Sequence, residues 1–181
     1  MSEGKSEITP QKASWTSNWL WGPFSGFVLS FSALFFVLDQ GTKLWLLYGF
    51  KLAEKGAVPV LPFLDLVLVW NRGISYGLFQ QDSDLGRWAL LLVTALASMA
   101  LWIWSVRSDR YFLSFALALV IGGALGNGLD RFLYGAVVDF VHFHIGTFSW
   151  YVFNLADVWI VAGVAGLLYD GLQSGPNSAA K

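Results

Sequence analysis

The chain of 181 residues has no cysteine. That removes disulfides, thiolate metal ligands and a cysteine nucleophile together, so any chemistry must come from Asp, Glu, His, Ser, Lys or Arg. Charge is scarce as well. Only 13% of residues are charged against 56% apolar, the formal net charge is -1, and there is no long run of one sign. A nucleic-acid binder carries a basic patch or stripe, and none is present, so nucleic acid is excluded as a partner. Fixed-period repeats and low-complexity runs are missing too. So much apolar side chain is more than a water-soluble core of this size uses.

The apolar residues are gathered into four stretches, each near the 20 or so residues that a helix needs to cross a hydrocarbon core. They run from about Phe24 to Tyr48, Trp88 to Val106, Tyr111 to Tyr134 and Tyr151 to Leu172. Trp19, Trp21, Trp88, Trp102, Trp104 and Trp150 fall near the span ends, where amphipathic rings favour the headgroup layer. The first stretch is too long for a cleaved signal peptide and follows a polar tail with three tryptophans, so it is expected to stay attached. Residues 1–20 and 173–181 read as polar tails on either side of a four-helix domain, 21–172. Lys5, Lys12, Arg107 and Arg110 lie on one side of this layout, whereas the segment from Gly135 to Trp150 has no Lys or Arg. Both termini are therefore expected in the cytoplasm. The segment from Gly49 to Arg87 is too long for a simple connector. Within it, Phe63 to Trp70 has the Val, Leu and aromatic content of a strand. The expected fold class is an all-α integral membrane bundle of four transmembrane helices with a small extracytoplasmic β element in the first outer loop.

Polar residues sit where they are costly. Asp39 and Lys43 are four apart in the first span, the spacing of an ion pair on one helical face. The alternative is a supporting role for the loops of a site. In the third span Gly123, Asn127, Asp130 and Arg131 share a face, and Gly122 with Gly126 has the small-xxx-small spacing of close helix packing. Asp130 beside Arg131 reads as a neutralising pair. Asp139 follows that span. Asn154 and Asp157 are three apart in the fourth, with Asp157 expected about a turn and a half inside the helix. A lone carboxylate there costs on the order of 2 to 3 kcal/mol, so it must face protein or water.

Asp139 and Asp157 flank the last loop, and the chain can bring them together. Two neighbouring carboxylates hold one proton between them. Such a pair can activate water and protonate a leaving nitrogen, which is the chemistry of peptide hydrolysis. Unrelated helix-end acids would look the same in sequence. His142 and His144, with Asp139 before them, invite a zinc reading, but the spacing is not that of HExxH and no metal is assigned to the site. A small transporter or proton-conducting protein is the competing reading. It would distribute its acids through the membrane depth, whereas here they gather toward one face.

In this order the chain carries Asp39, Gln40, Thr42 and Lys43, then Asn71 to Gly77, Gly122 to Arg131, Val137 to Phe140, and Phe153 to Asp157. In these five blocks it resembles the lipoprotein signal peptidases, signal peptidase II, over roughly residues 39 to 160. The resemblance implies a bacterial inner-membrane aspartyl endopeptidase with Asp139 and Asp157 as catalytic pair, lying near the periplasmic face. Asn71, Gly73, Asn127, Arg131, Asn154 and Ala156 would support substrate or pair, Asp130 would support Arg131, and Asp39 with Lys43 would brace the site. It further implies no cofactor, and as partners membrane lipid and a diacylglyceryl-modified prolipoprotein cut on the amino side of the lipidated cysteine. The protein is expected to be a monomer. A small β-cradle and a short helix are implied in the first outer loop. Presenilin and prepilin peptidases place an aspartate in Gly-x-Gly-Asp, which is absent here because Leu129 separates Gly128 from Asp130.

Overall fold

The computed structural model describes residues 20–73 and 84–173. The two tails up to Trp19 and beyond Gln173, and the part of the second block from Ile74 through Ser75 and Tyr76 to Gly77, lie outside the described residues. Among the described residues, four helices are long and apolar enough to cross a membrane. They are α1, Ser25–Leu44, continued by a π-helical turn over Trp45–Gly49; α3, Asp84–Val106; α4, Tyr111–Tyr134; and α5, Leu155–Gln173. A single turn, α2, Leu52–Lys55, follows the π turn.

α4 is the central helix and packs against α1, α3 and α5. Most of its length is buried, whereas α3 and α5 leave Leu92, Val93, Leu96, Val161 and Leu168 exposed, as lipid-facing surfaces require. Close approach explains the glycine pattern of α4. A Cβ on Gly123 would sit 2.5 Å from the Ala156 carbonyl oxygen of α5, and one on Gly126 would sit 2.5 Å from Asp39 Oδ2 of α1. The small stripe is thus the packing seam of three helices. Phe27, Phe31, Phe35, Phe115 and Trp159 fill the bundle further along with tilted and edge-on ring contacts.

The β structure is larger than the sequence predicts. Strand β1, Val58–Leu61, and strand β2, Leu64–Asn71, come from the first long segment, β2 being the strand expected at Phe63 to Trp70. The segment after α4, read from sequence as a loop, forms β3, Val137–Ile145, and β4, Phe148–Ser149. The four strands make one antiparallel sheet in the order β1-β2-β3-β4, with Asp65 opposite His142 and Val69 opposite Asp139. A β element confined to the first outer loop is therefore only half of it. The second half has no strand signal over Val137 to Phe140, which are buried on both faces, although Val141 to Ile145 alternates apolar residues with the two histidines. Leu46, Leu52 and Phe140 form the core that seats the sheet on the end of α1.

Candidate active site

α4 ends at Gly135, whose φ of 74° is left-handed and whose N–H returns to the Arg131 carbonyl at 3.1 Å. Arg87 of α3 donates to the Arg131 and Phe132 carbonyls, which satisfies further orphan acceptors of that helix end. Asp130, one turn back, accepts from the Val138 N–H at 3.1 Å and so fixes where β3 begins. Asp139 is the next residue, 1% exposed, and β2 meets it through Asn71. Asn71 Nδ2 donates to Asp139 Oδ2 at 2.9 Å, and Asn71 Oδ1 accepts from the Gly73 N–H at 3.0 Å.

α5 begins at Leu155, so Asp157 stands in its first turn and not a turn and a half inside. The reason is an N-terminal cap. Asn154 Oδ1 accepts from the Asp157 N–H at 3.0 Å while Asp157 Oδ2 accepts from the Asn154 N–H at 3.3 Å, the reciprocal pair of a capping box. The next orphan donor, the Ala156 N–H, goes to Asp39 Oδ1 of α1 at 3.0 Å. A carboxylate in this position also faces the partial positive charge of the helix N-terminus. The three-residue spacing of Asn154 and Asp157, visible in sequence as a shared face, is the spacing of that cap.

Two amides join the side chains of the two acids. Asn154 Nδ2 donates to Asp139 Oδ1 at 2.6 Å and to Asn127 Oδ1 at 3.0 Å, and Asn127 Nδ2 donates to Asp157 Oδ1 at 2.8 Å. Burial, followed by the nearby Asp157 charge, pushes the Asp139 carboxyl up to about 7, against the pull of the Asn71 and Asn154 donors and of Lys43. Asp157 is half-buried and borders a cavity of about 230 Å³ lined also by Asn71, Gly73, Thr94, Asn127, Arg131 and Tyr151. Asn71 and Asn154 bind the two oxygens of Asp139, which lies almost fully buried. Arg131 donates to the Gly73 carbonyl at 3.1 Å and its buried Nε has no hydrogen-bond partner among the described residues.

Behind this network lies a second one. Lys43 Nζ is 2.8 Å from Asp39 Oδ2, 2.7 Å from Asp130 Oδ2 and 3.1 Å from Asn127 Oδ1. Gln40 Nε2 donates to Asp130 Oδ1 at 2.9 Å and to the Gly126 carbonyl at 3.1 Å. The Asp39–Lys43 pair is thus one edge of a buried cluster. Asp130 is spent on Lys43, Gln40 and Val138, so the neutralising pair expected with Arg131 is replaced by one with Lys43. Gln40, Thr94 and Tyr151 join the site in addition to the residues expected from the sequence. Gln40 alone left a signal, an amide in an apolar span beside Asp39; Thr94 and Tyr151 reach the cavity through packing that no spacing reveals.

A fold of four membrane-length helices capped by a small antiparallel sheet, with buried acids and amides where they meet, defines a membrane enzyme of the aspartic type. A family model described as Signal peptidase (SPase) II matches residues 31–173. A lipoprotein signal peptidase of Nitrobacter hamburgensis is 54% identical over 160 residues, covering 86% of this chain and 96% of that protein. One of Rhodopseudomonas palustris is 57% identical over 148 residues, covering 80% and 90%. A bacterial membrane enzyme solved by the in meso method at 2.3 Å resolution superposes with a TM-score of 0.74 at 27% identity, covering 86% of this chain and 93% of that one. The chain belongs to the signal peptidase II family, and it is an aspartic peptidase.

Proposed function

We propose that this protein removes the signal peptide from diacylglyceryl-modified prolipoproteins, cutting on the amino side of the lipidated cysteine, with Asp139 and Asp157 as the pair that activates water. The observation that carries the reading is the hydrogen-bond path from Asp139 through Asn154 to Asp157 at the edge of a polar cavity. Asp157, which borders that cavity, takes a proton from water as its oxygen attacks the scissile carbonyl carbon. Asp139, which burial keeps protonated to about pH 7, supports the developing oxyanion. The tetrahedral carbon then collapses, its C–N bond breaks and the leaving nitrogen receives the proton. Water is the nucleophile and no covalent enzyme intermediate forms. Arg131, with Gly73, borders the cavity as a contact for substrate backbone.

The cavity is flanked on two sides by apolar space, which is what a substrate with two apolar parts requires. Thr94 belongs both to it and to a groove of about 780 Å³ between α1, α3 and α4. Tyr151 and Asp157 belong both to it and to an apolar hollow of about 440 Å³ along α5. Acyl chains and signal helix enter from the bilayer on these sides and gain roughly 0.8 kcal/mol per buried acyl CH₂. The scissile bond is then the polar centre of an apolar ligand. Residues 21–172 form the peptidase domain between cytoplasmic tails 1–20 and 173–181. The protein acts as a monomer in the bacterial inner membrane, with both termini cytoplasmic and the site near the periplasmic face. A gel-shift assay of purified protein with a lipid-modified prolipoprotein tests the chemistry. Asp139→Asn and Asp157→Asn are each expected to lower cleavage by roughly 10²- to 10⁴-fold, the contribution of a positioned acid or base, while remaining folded. Full cleavage by either variant would remove the mechanism.

A further inference from the structure

The chain has two histidines in all, and both stand on one face of the sheet. His142 and His144 are two apart on β3, so the pleat turns them the same way, opposite to Asp139. Register supplies a third group: Asp65 of β2 is paired directly with His142, and His144 is its diagonal neighbour. No spacing in the sequence announces Asp65, because only the strand pairing brings it there. The Asp65, His142 and His144 side chains are between 22% and 29% exposed, reachable from water yet held by the sheet.

Their geometry differs from that of an ordinary ion pair. Asp65 Oδ2 is 3.1 Å from His144 Nε2 and 4.0 Å from His142 Nδ1. The longer separation is beyond hydrogen-bond reach. His144 Nε2 is buried and makes no hydrogen bond among the described residues despite its close neighbour. His142 spends its other nitrogen, Nε2, on Ser149 Oγ of β4 at 2.7 Å. With Nε2–H donating to Ser149, the tautomer leaves the Nδ1 lone pair aimed at the Asp65 side, the arrangement in which a metal-bound imidazole is oriented by a second hydrogen bond. One ligand atom from each residue falls within 4.8 Å of the others. Ligand atoms on a tetrahedral zinc lie about 3.3 Å apart for bonds near 2.0 Å, so small ring rotations close the set around one ion.

We propose that Asp65, His142 and His144 form a binding site for a zinc-like divalent transition-metal ion, separate from the peptidase site, with a fourth position open to water. The ion ties β2 to β3 and, through Ser149, steadies β4. These strands carry Asn71 and Asp139, so the site braces the sheet that positions one catalytic acid without taking part in hydrolysis.

The test uses full-length, tag-free protein in detergent, stripped of metal with chelator and titrated with Zn²⁺ alone. One saturable site per chain is expected by calorimetry, together with a rise in unfolding temperature. His144→Ala and Asp65→Asn are expected to abolish both, and Ser149→Ala to weaken binding by about tenfold or more, as loss of an orienting partner does. Zn²⁺ binding that survives in His144→Ala and Asp65→Asn, or no saturable binding by the unmutated chain, overturns the proposal. Co²⁺ added to the unmutated protein gives a second reading independent of any variant's folding. An intense visible band of tetrahedral type supports the site, and only the weak spectrum of the hydrated ion rejects it.

Discussion

Two pairs of carboxylates, linked to each other through Asn127 and Lys43, are handled in opposite ways. Asp39 and Asp130 are both fully buried, and Lys43 bridges them with contacts below 3 Å to each. Their other oxygens accept from the Ala156 N–H and from Gln40, while the Val138 N–H shares Asp130 Oδ2 with Lys43. Asp139 and Asp157 have amides where the first pair has an ammonium, namely Asn71, Asn154 and Asn127. An amide satisfies a lone pair without cancelling charge, so the second pair is held by neutral donors whereas the first is locked by a cation. The locked pair is structural: it ties α1 to the start of α5 and α4 to the start of β3, the two places from which the proposed catalytic acids project. Its cation also reaches Asn127 at 3.1 Å, so the scaffold and the proposed chemistry share one residue.

That contrast breaks most visibly at Lys43. Lys43→Met is expected to leave two carboxylates buried without a cation and to cost about 3 to 5 kcal/mol of stability, the range for breaking a buried ion pair by removing one partner. Thermal unfolding in detergent checks this, and an unfolding temperature close to the parent's would mean that the cluster is not ionic. Adding Asp39→Asn to Lys43→Met is expected to recover part of the loss, because the two residues share one interaction. Asp157→Asn should behave in the opposite sense, losing cleavage with little change in unfolding, because asparagine keeps the acceptor that caps α5.

A smaller effect is expected at Gly126→Ala. The added methyl would meet Asp39 Oδ2 at 2.5 Å, so the carboxylate or the helix has to yield. Overpacking of this kind costs about 1 to 3 kcal/mol. Because the displaced group belongs to the locked pair, stability should fall while cleavage per folded molecule stays near that of the parent. A variant of parental stability but poor turnover would show that the two pairs are less separate than their partners imply.

Legibility in the sequence followed the physics of each feature. Membrane spans were plain because length and hydropathy suffice to define them, and Tyr111–Tyr134 agrees with the structure to the residue. Asp39 with Lys43, and Asn154 with Asp157, were visible as i,i+4 and i,i+3 neighbours, although the second pair proved to be a cap and so moved Asp157 to the helix end. Contacts across elements were not legible: Asp130 with Lys43, Asn71 with Asp139, and Asp65 with the two histidines each depend on register or helix packing. The start of β3 is hidden for a related reason, since Val137 to Phe140 are covered on both faces and lose the alternation that announces a strand, which only Val141 to Ile145 keep.

The finest distinction between the pairs is titration at Asp139. Its carboxyl is pushed up to about 7, chiefly by burial, so the folded protein binds that proton more tightly than the unfolded chain, in which the group keeps its ordinary value near 3.8. Stability from this residue is therefore complete at low pH and is lost as pH rises through about 7, and Asp139→Asn should unfold with a flatter pH dependence between 5 and 8. Cleavage should decline along the same limb as the proton on Asp139 is lost. Asn71 holds the limb down, because its Nδ2–H favours the ionised form. Asn71→Ala is expected to move the alkaline limb of kcat/KM to higher pH by some tenths of a unit to about one unit, the scale on which a single hydrogen bond of about 1 kcal/mol acts. A limb that stays in place, or moves to lower pH, would assign that proton to another group and leave Asn71 a role only in holding β2 against β3.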